Sequence, residues 1–479
     1  MSDFSQSQPI PVEQLLTGLP AVRAVDPAEA ADRVAGGPCL VVLDDDPTGT
    51  QTVADLPVLT TWSVDDLRWA LTRPGNAFFV LTNTRSLSVA DAEARNREVI
   101  DALAQAAEAE QVDFVVASRS DSTLRGHFPR ETDVLAEELA RRGKPVDGVV
   151  IVPAFPSAGR FTIDSVHWAR TADGMLPAGR TEFAEDATFG YRSSDLREWV
   201  EEKTGGRAAA DQVLPVTLAD LREGGPERVA ELLGTARDRQ PVVVDAAGDD
   251  DLRVLALALL RAEEAGKRLL YRVGPAFVRS RAGQAGSPPL DVEALRAMGA
   301  ADGHGLIAVG SHVGLTTGQL DGLRELGGIT ELELDVAALL EPSARDDHVA
   351  EVSRAAAEAM SGADVVIRTS RTPVTGSDPD ASLAIARAVS AGLVDTVRAT
   401  VRAHRPAFVV AKGGITSSDI ATDGLDVRRA VVRGTMLPGI VSLWEPVSGE
   451  FAGVPYVVFP GNVGDRGSLA EVVSSLRGR

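Results

Sequence analysis

The sequence predicts an α/β protein of two Rossmann-like domains, each built on a largely parallel sheet, with an interdomain cleft between them. Three observations lead there. Short β-branched runs alternate with amphipathic stretches of helical period along most of the chain. A Gly-, Ser- and Pro-bearing stretch, RAGQAGSPPLDVE at 281–293, separates two such series. Several apolar runs end in a cluster of Asp, Arg, Gly or hydroxyl residues, which is where α/β sheets carry their sites.

In the first series the predicted strands are 39–43, 77–81, 114–117, 149–152, 241–245 and 269–273. Between the second and third lies a helix over 88–110. It opens with Ser-Val-Ala-Asp, which reads as a capping box, and carries Val99, Leu103 and Ala106 on one face. The second series predicts strands at 306–309, 331–334, 365–368, 408–411 and 456–459, with Ala-rich helices at 347–361 and 381–403. Pro406 closes the last helix. The resulting boundaries are an N-terminal domain at 1–280, a linker at 281–292 and a C-terminal domain at 293–479.

A chain of 479 residues that is 44% hydrophobic can bury a large core. Its formal charge of −21 argues against a nucleic-acid partner, because there are too few cations to replace the phosphate counterions. An anionic small molecule is not excluded, since local Arg, Lys and N–H groups govern a pocket. Cys39 is the only cysteine, so an internal disulfide and a thiolate metal cluster are excluded and a reducing cytoplasm is expected. The opening MSDFSQSQPIPVEQ has no basic or apolar leader pattern and reads as a mobile tail. Apolar runs fall well short of the ~20 residues of a membrane span, so no membrane partner is expected. The six histidines show no metal-ligand spacing, and metal ligands are left unassigned.

Three strand ends in the first half carry chemistry. DDDPTGTQTV at 44–53 crowds Asp44, Asp45 and Asp46 before a Pro/Gly turn, and such carboxylates need a cation, donors or a shared proton. An acidic solvated turn is the plain alternative. SRSDSTLRGHFPRE at 118–131 brackets Asp121 with Arg119 and Arg125 and adds Ser120, Ser122 and Thr123. Arginine forks suit a carboxylate, and Asp with hydroxyls suits a polyol, which together describe a sugar-acid pocket. A self-satisfied loop is the competing reading. IVPAFPSAGRFT at 151–162 adds a rigid Pro/Gly loop ending in Arg160, which by itself reads as a structural turn.

The second half has four Gly-rich junctions: GSHVGLTTGQL at 310–320, AKGGITSSDIA at 411–421, GTMLPGIV at 434–441 and VVFPGNVGD at 457–465. Glycine allows close backbone approach, and outward N–H groups and hydroxyls bind phosphate. Any one of them reads as an ordinary turn; four together favour a nucleotide site. No GxxxxGK[ST] element is present.

In order and content, DDDPTGTQT, SRSDSTLRG, VVIVPAFPSAGRFT and ATFGY at 187–191, followed by the C-terminal junctions, resemble the four-carbon acid sugar kinases over nearly the whole chain. Thr50 and Thr52 stand where simpler members carry Ala and Asp, and Arg125-Gly126-His127-Phe128-Pro129 replaces an RGN-type continuation. The resemblance implies ATP and Mg²⁺ as cofactors and a small sugar acid as substrate. It implies an acid-binding role for Thr48, Gly49, Arg119, Ser120, Asp121 and Arg125, with Asp45, Asp46 and Asp121 as catalytic carboxylates. Ser311, Lys412, Gly413, Gly414, Thr416, Ser417, Gly461 and Asn462 would line the ATP site, and His127 and His312 lie inside motifs. Closure of the two lobes would bring ATP over the acid. A magnesium-dependent lyase or phosphatase using Asp44–Asp46 without ATP, and a non-catalytic sugar-acid sensor, are the alternatives. A homodimer is left open, with no single helix stripe to carry it.

Overall fold

The computed structural model describes residues 8–286, 288–298, 303–311, 313–371, 374, 376 and 379–478. In chain order its strands are β1 (Cys39–Asp44), β2 (Leu56–Leu59), β3 (Ala77–Leu81), β4 (Phe114–Arg119), β5 (Gly148–Val152), β6 (Arg160–Ile163), β7 (Val166–Thr171), β8 (Gly174–Pro177) and β9 (Leu214–Val216). They continue as β10 (Gln240–Val244), β11 (Leu269–Val273), β12 (Leu306–Val309), β13 (Ile329–Leu334), β14 (Asp364–Thr369), β15 (Val409–Lys412), β16 (Arg429–Leu437), β17 (Val441–Pro446) and β18 (Tyr456–Phe459). Every predicted strand is present, shifted by at most a few residues. The predicted helices are present too, at Val89–Glu110, Arg345–Ala359 and Pro379–Ala403.

Two compact units divide the chain: Met1–Asp45 with Trp62–Gly286, and Asp46–Thr61 with Ser287–Arg479. The first is an all-parallel sheet in the order β3-β1-β4-β11-β5-β10-β9. Its central strands are continuous apolar runs because both faces are covered; all six residues of β1 are buried. Along Val89–Glu110 the buried side chains are Ala92, Asn96, Val99, Ile100, Leu103, Ala106 and Ala107, and Ser88 Oγ caps the start by accepting from the Asp91 N–H at 3.2 Å. Cys39 is buried in β1, and burial pushes its thiol up to about 12. An antiparallel three-stranded sheet, β6-β7-β8, adds to this unit. It was not predicted; its strands are only four to six residues long and lie among turn residues.

The second unit is mixed. Parallel strands run β13-β14-β12-β15-β18, and β17, β16 and β2 continue the sheet antiparallel. The sheet is largely parallel, as expected, and turns antiparallel at this edge. GTMLPGIV, expected as a Gly-rich junction of the nucleotide site, is the β16–β17 hairpin, whose register shifts between Val432 and Gly434. Gly434 sits there at φ +142°, a conformation that glycine adopts without strain. The core of this unit gathers Ile307, Val309, Val366, Val410, Val457 and Phe459 from the strands with Leu320, Leu323, Leu469 and Val473 from helices. Among the described residues no helix is long and apolar enough to cross a membrane.

Candidate active site

In each unit the chain reverses its direction of travel across the sheet at one strand, and polar loops collect there. In the first unit β3 lies on one side of β1 and β4 on the other. In-register parallel pairing sets Asp44 beside Arg119. Both are almost fully buried, at 1% and 3% exposure, and the guanidinium is bound to the Asp44 carboxylate. Arg119 also lies 3.9 Å from Asp45, which is held bidentately by Arg85 at 2.6 and 3.1 Å. The Arg119 fork is thus taken up within the sheet. Arg85, absent from the sequence-predicted set, follows β3 and is the main partner of Asp45.

Asp121 accepts from the Thr123 N–H at 3.2 Å, from the Thr123 hydroxyl, and from Arg125 Nε at 2.6 Å. Burial alone would raise its pKa, but Arg85, Arg125 and these donors together hold it down at about 2. It is an ionised acceptor across the neutral range. Arg125 also lies 3.6 Å from Asp186, which precedes the ATFGY motif. Ser120 is buried and donates to Glu131, whose charge is met by Arg272 Nε at 2.9 Å. Gly126, at φ +130°, brings the second motif close to Asp45: a Cβ there would lie 3.5 Å from an Asp45 oxygen. Two buried side chains clamp the loop. The Tyr191 hydroxyl donates to the Thr123 carbonyl at 2.7 Å, and His167 Nε2 lies 2.7 Å from the Ser122 carbonyl. Burial lowers the His167 pKa to about 4. His127 is buried with Nε2 3.0 Å from the Thr84 carbonyl.

Asp46, Thr48 and Gly49 belong to the second unit, because the chain passes into it between Asp45 and Asp46. Asp46 accepts from the Thr48 N–H at 2.8 Å, and a Cβ on Gly414 would lie 3.4 Å from an Asp46 oxygen. Thr50 is buried, accepts from Trp444 Nε1 at 2.9 Å and meets Ser442 Oγ at 3.0 Å, so its hydroxyl fastens this segment to β17.

In the second unit β14 flanks β12 on one side and β15 on the other. Ser311, Gly413 and Gly461 follow β12, β15 and β18 and pack without room for side chains: a Cβ on Gly461 would lie 2.7 Å from Ser311 Oγ, and one on Gly413, at φ +133°, 2.8 Å from Thr416 Oγ1. Thr416 and Ser311 are half-buried and Asn462 is exposed. Two expected ligand groups are occupied internally. Lys412 is fully buried; its Nζ donates to the Pro460 carbonyl at 2.8 Å and lies 4.1 Å from the Phe459 ring centroid, and burial lowers its pKa to about 7. Ser417 Oγ donates back to Ala411 and Gly413 carbonyls. A further cation stands here: Arg371, after β14, donates to the Ser311 carbonyl and to Thr317 Oγ1 at 2.8 Å. His312 lies outside the described residues.

Residues 40–281 match the model of a sugar-binding N-terminal domain, and 306–469 match that of a nucleotide-binding C-terminal domain. The chain belongs to the four-carbon acid sugar kinase family. Within that family it is 28% identical over 466 residues to a D-threonate kinase of Bordetella bronchiseptica, covering 93% of this chain and 99% of that one. It is 29% identical over 187 residues to a D-erythronate kinase of Heliobacterium modesticaldum, 38% of either chain. In fold it is similar to a Haemophilus influenzae DUF1537 protein, with a TM-score of 0.61 at 19% identity over 91% of this chain and 100% of that chain. A Salmonella typhimurium structure described as a putative tRNA synthase gives a TM-score of 0.65 at 18% identity, over 90% and 98%. The two matched domains of this sugar kinase family member hold the two polar loop clusters described above, one each.

Proposed function

We propose that the protein is an ATP-dependent kinase that phosphorylates a hydroxyl of a small, four-carbon-like sugar acid. The observation that carries this reading is the complementary chemistry of the two loop clusters. One offers charged side chains suited to a polyhydroxy carboxylate, and the other offers glycines and hydroxyls suited to phosphates. The kinase names of the full-length and partial relatives support it.

On this reading Asp121, held ionised, accepts a hydrogen bond from a substrate hydroxyl and orients it, while Arg125 reaches the acid's charged end. Asp45 accepts the proton of the attacking hydroxyl. The backbone around Gly413, Gly414 and Gly461 cradles the phosphates, with Thr416 and Ser311 as hydroxyl donors. Among the described residues no group of three His, Cys, Asp or Glu is arranged to hold a metal. Magnesium held by one carboxylate and the nucleotide's own phosphates fits the half-buried Asp46 beside Gly414. When bound it neutralises charge on the transferred group. Lys412 acts from behind, fixing the Pro460–Gly461 turn through its carbonyl contacts.

A coupled ADP-release assay across C3 to C6 sugar acids tests the proposal. Turnover above the ATP-alone rate with at least one tetronate is expected. No such rate with any acid, or consumption of an acid without nucleotide, overturns it.

A further inference from the structure

We infer that Arg160 recognises the substrate carboxylate and makes the site select sugar acids over uncharged sugars of the same length. The inference rests on the reading above that the first unit binds a sugar acid.

Its ground is a charge balance. Around the Asp121 loop four guanidinium groups each have a carboxylate: Arg119 has Asp44, Arg85 has Asp45, Arg125 has Asp121 and Asp186, and Arg272 has Glu131. Arg160 is the exception. Among the described residues it makes no ion pair; its Nη1 donates only to the Ala158 carbonyl at 2.9 Å and, more weakly, to that of Arg170 at 3.4 Å. Its Nε is buried and makes no hydrogen bond. The side chain as a whole is half-buried, so its charge is partly withdrawn from water without a counter-ion, and an incoming anion offsets that cost in the bound state.

Position points the same way. Arg160 and Arg125 each hold their guanidinium 5.3 Å from the centroid of the same ring, Phe183, so both cations lie over one aromatic ring, and Arg125 is bonded to Asp121. Burial lowers the Arg160 pKa, and Asp121 is the strongest influence opposing it, which marks the two as neighbours. The backbone is fixed: Arg160 and Phe155 exchange N–H···O bonds at 3.0 and 2.9 Å, and the preceding Gly159 sits at φ +69°, where a Cβ would strike Arg170 at 2.6 Å. A planar fork held in place, lacking an anion and adjacent to a hydroxyl-orienting carboxylate, matches a sugar acid: carboxylate on Arg160 and Arg125, hydroxyls on Asp121. A neutral polyol meets only the second half of that arrangement.

The experiment compares wild type, Arg160→Gln and Arg160→Lys with D-threonate, D-erythronate and the uncharged four-carbon tetritols, reading KM and kcat for the acceptor and KM for ATP. We expect KM for the acid to rise about tenfold to a hundredfold in Arg160→Gln, as for loss of a charged hydrogen-bonded contact. The ATP KM should stay unchanged, Arg160→Lys should recover part of the loss, and the preference for acid over tetritol should shrink. An unchanged acid KM, or an equal rise in the KM values for acid and ATP, overturns the inference alone. Should the Gln variant fail to fold, Arg160→Lys decides in its place: it keeps charge and bulk but not the fork, and an acid KM equal to wild type overturns the proposal. Wild-type enzyme inactive on every sugar acid overturns the parent reading, and this one with it.

Discussion

The two polar clusters are built from different materials. In the first unit the site is made of side-chain charge: Asp44, Asp45 and Asp121 each face an arginine, and the Asp44–Arg119 pair is sealed inside the sheet. In the second unit it is made of close-packed turns: a Cβ on Gly413 or Gly461 would press on the hydroxyl of Thr416 or Ser311, and the buried Lys412 faces carbonyl oxygens. A charge-built site fails when a charge is deleted and tolerates small changes of volume. A glycine-built site does the reverse.

The largest effect that would separate them is deletion of one partner of the Asp44–Arg119 pair. Arg119→Met takes the guanidinium away from a buried carboxylate and should lower stability by about 3–5 kcal/mol, read from the urea midpoint; a loss under about 1 kcal/mol would mean the pair behaves as a surface pair. Next comes acid pH. The folded-state pKa of His167 is about 4, below its ordinary 6.5, so the unfolded chain binds the proton first and stability falls as pH drops from 6.5 toward 4. The expected loss is on the order of 3 kcal/mol. Asp121, held at about 2, adds a further loss as pH falls below its ordinary 3.8. Urea midpoints across pH 3 to 8 should show this limb, flattened above pH 4 in His167→Gln; a limb of equal slope in that variant would assign it elsewhere.

Smaller again is Gly413→Ala, which forces a methyl to within 2.8 Å of Thr416 Oγ1 at φ +133°. It should cost about 1–3 kcal/mol and abolish the thermal shift given by a non-hydrolysable ATP analogue while sparing that given by a tetronate. Loss of both shifts would mean that the two sites do not respond independently. The smallest expected effect is the control: Glu325→Gln breaks a wholly exposed pair with Arg466 and should leave the melting temperature where it was.

Most strands of the parallel sheets were legible because burial on both faces writes an unbroken apolar run, as in Cys39–Asp44 and Leu306–Val309; the three-residue edge strand Leu214–Val216 is too short to write one. The antiparallel pieces were not. Within β16 the run RAVVRGTML is broken by Gly434 at a bulge, so a hairpin strand reads as a turn. Nor does anything local announce that Leu56–Leu59 pairs with Arg429–Leu437, a partner far along the chain. The same limit applies to the sites. Residue types near Asp121 were visible, but which arginine each acid takes depends on register between distant strands, as with Asp44 and Arg119. Lys412 could be read as a charge but not as one turned inward, and Arg371 lies outside all four Gly-rich junctions.

The excursion of 46–61 into the second unit has a consequence for the gene. Two reading frames split at the linker would not yield two self-sufficient proteins, since the C-terminal product would be missing Leu56–Leu59 and would expose the β16 flank as a template for foreign strands. Recombination that swaps one half for a stranger's must carry that borrowed ribbon with it, so the halves are expected to have been inherited as a matched set.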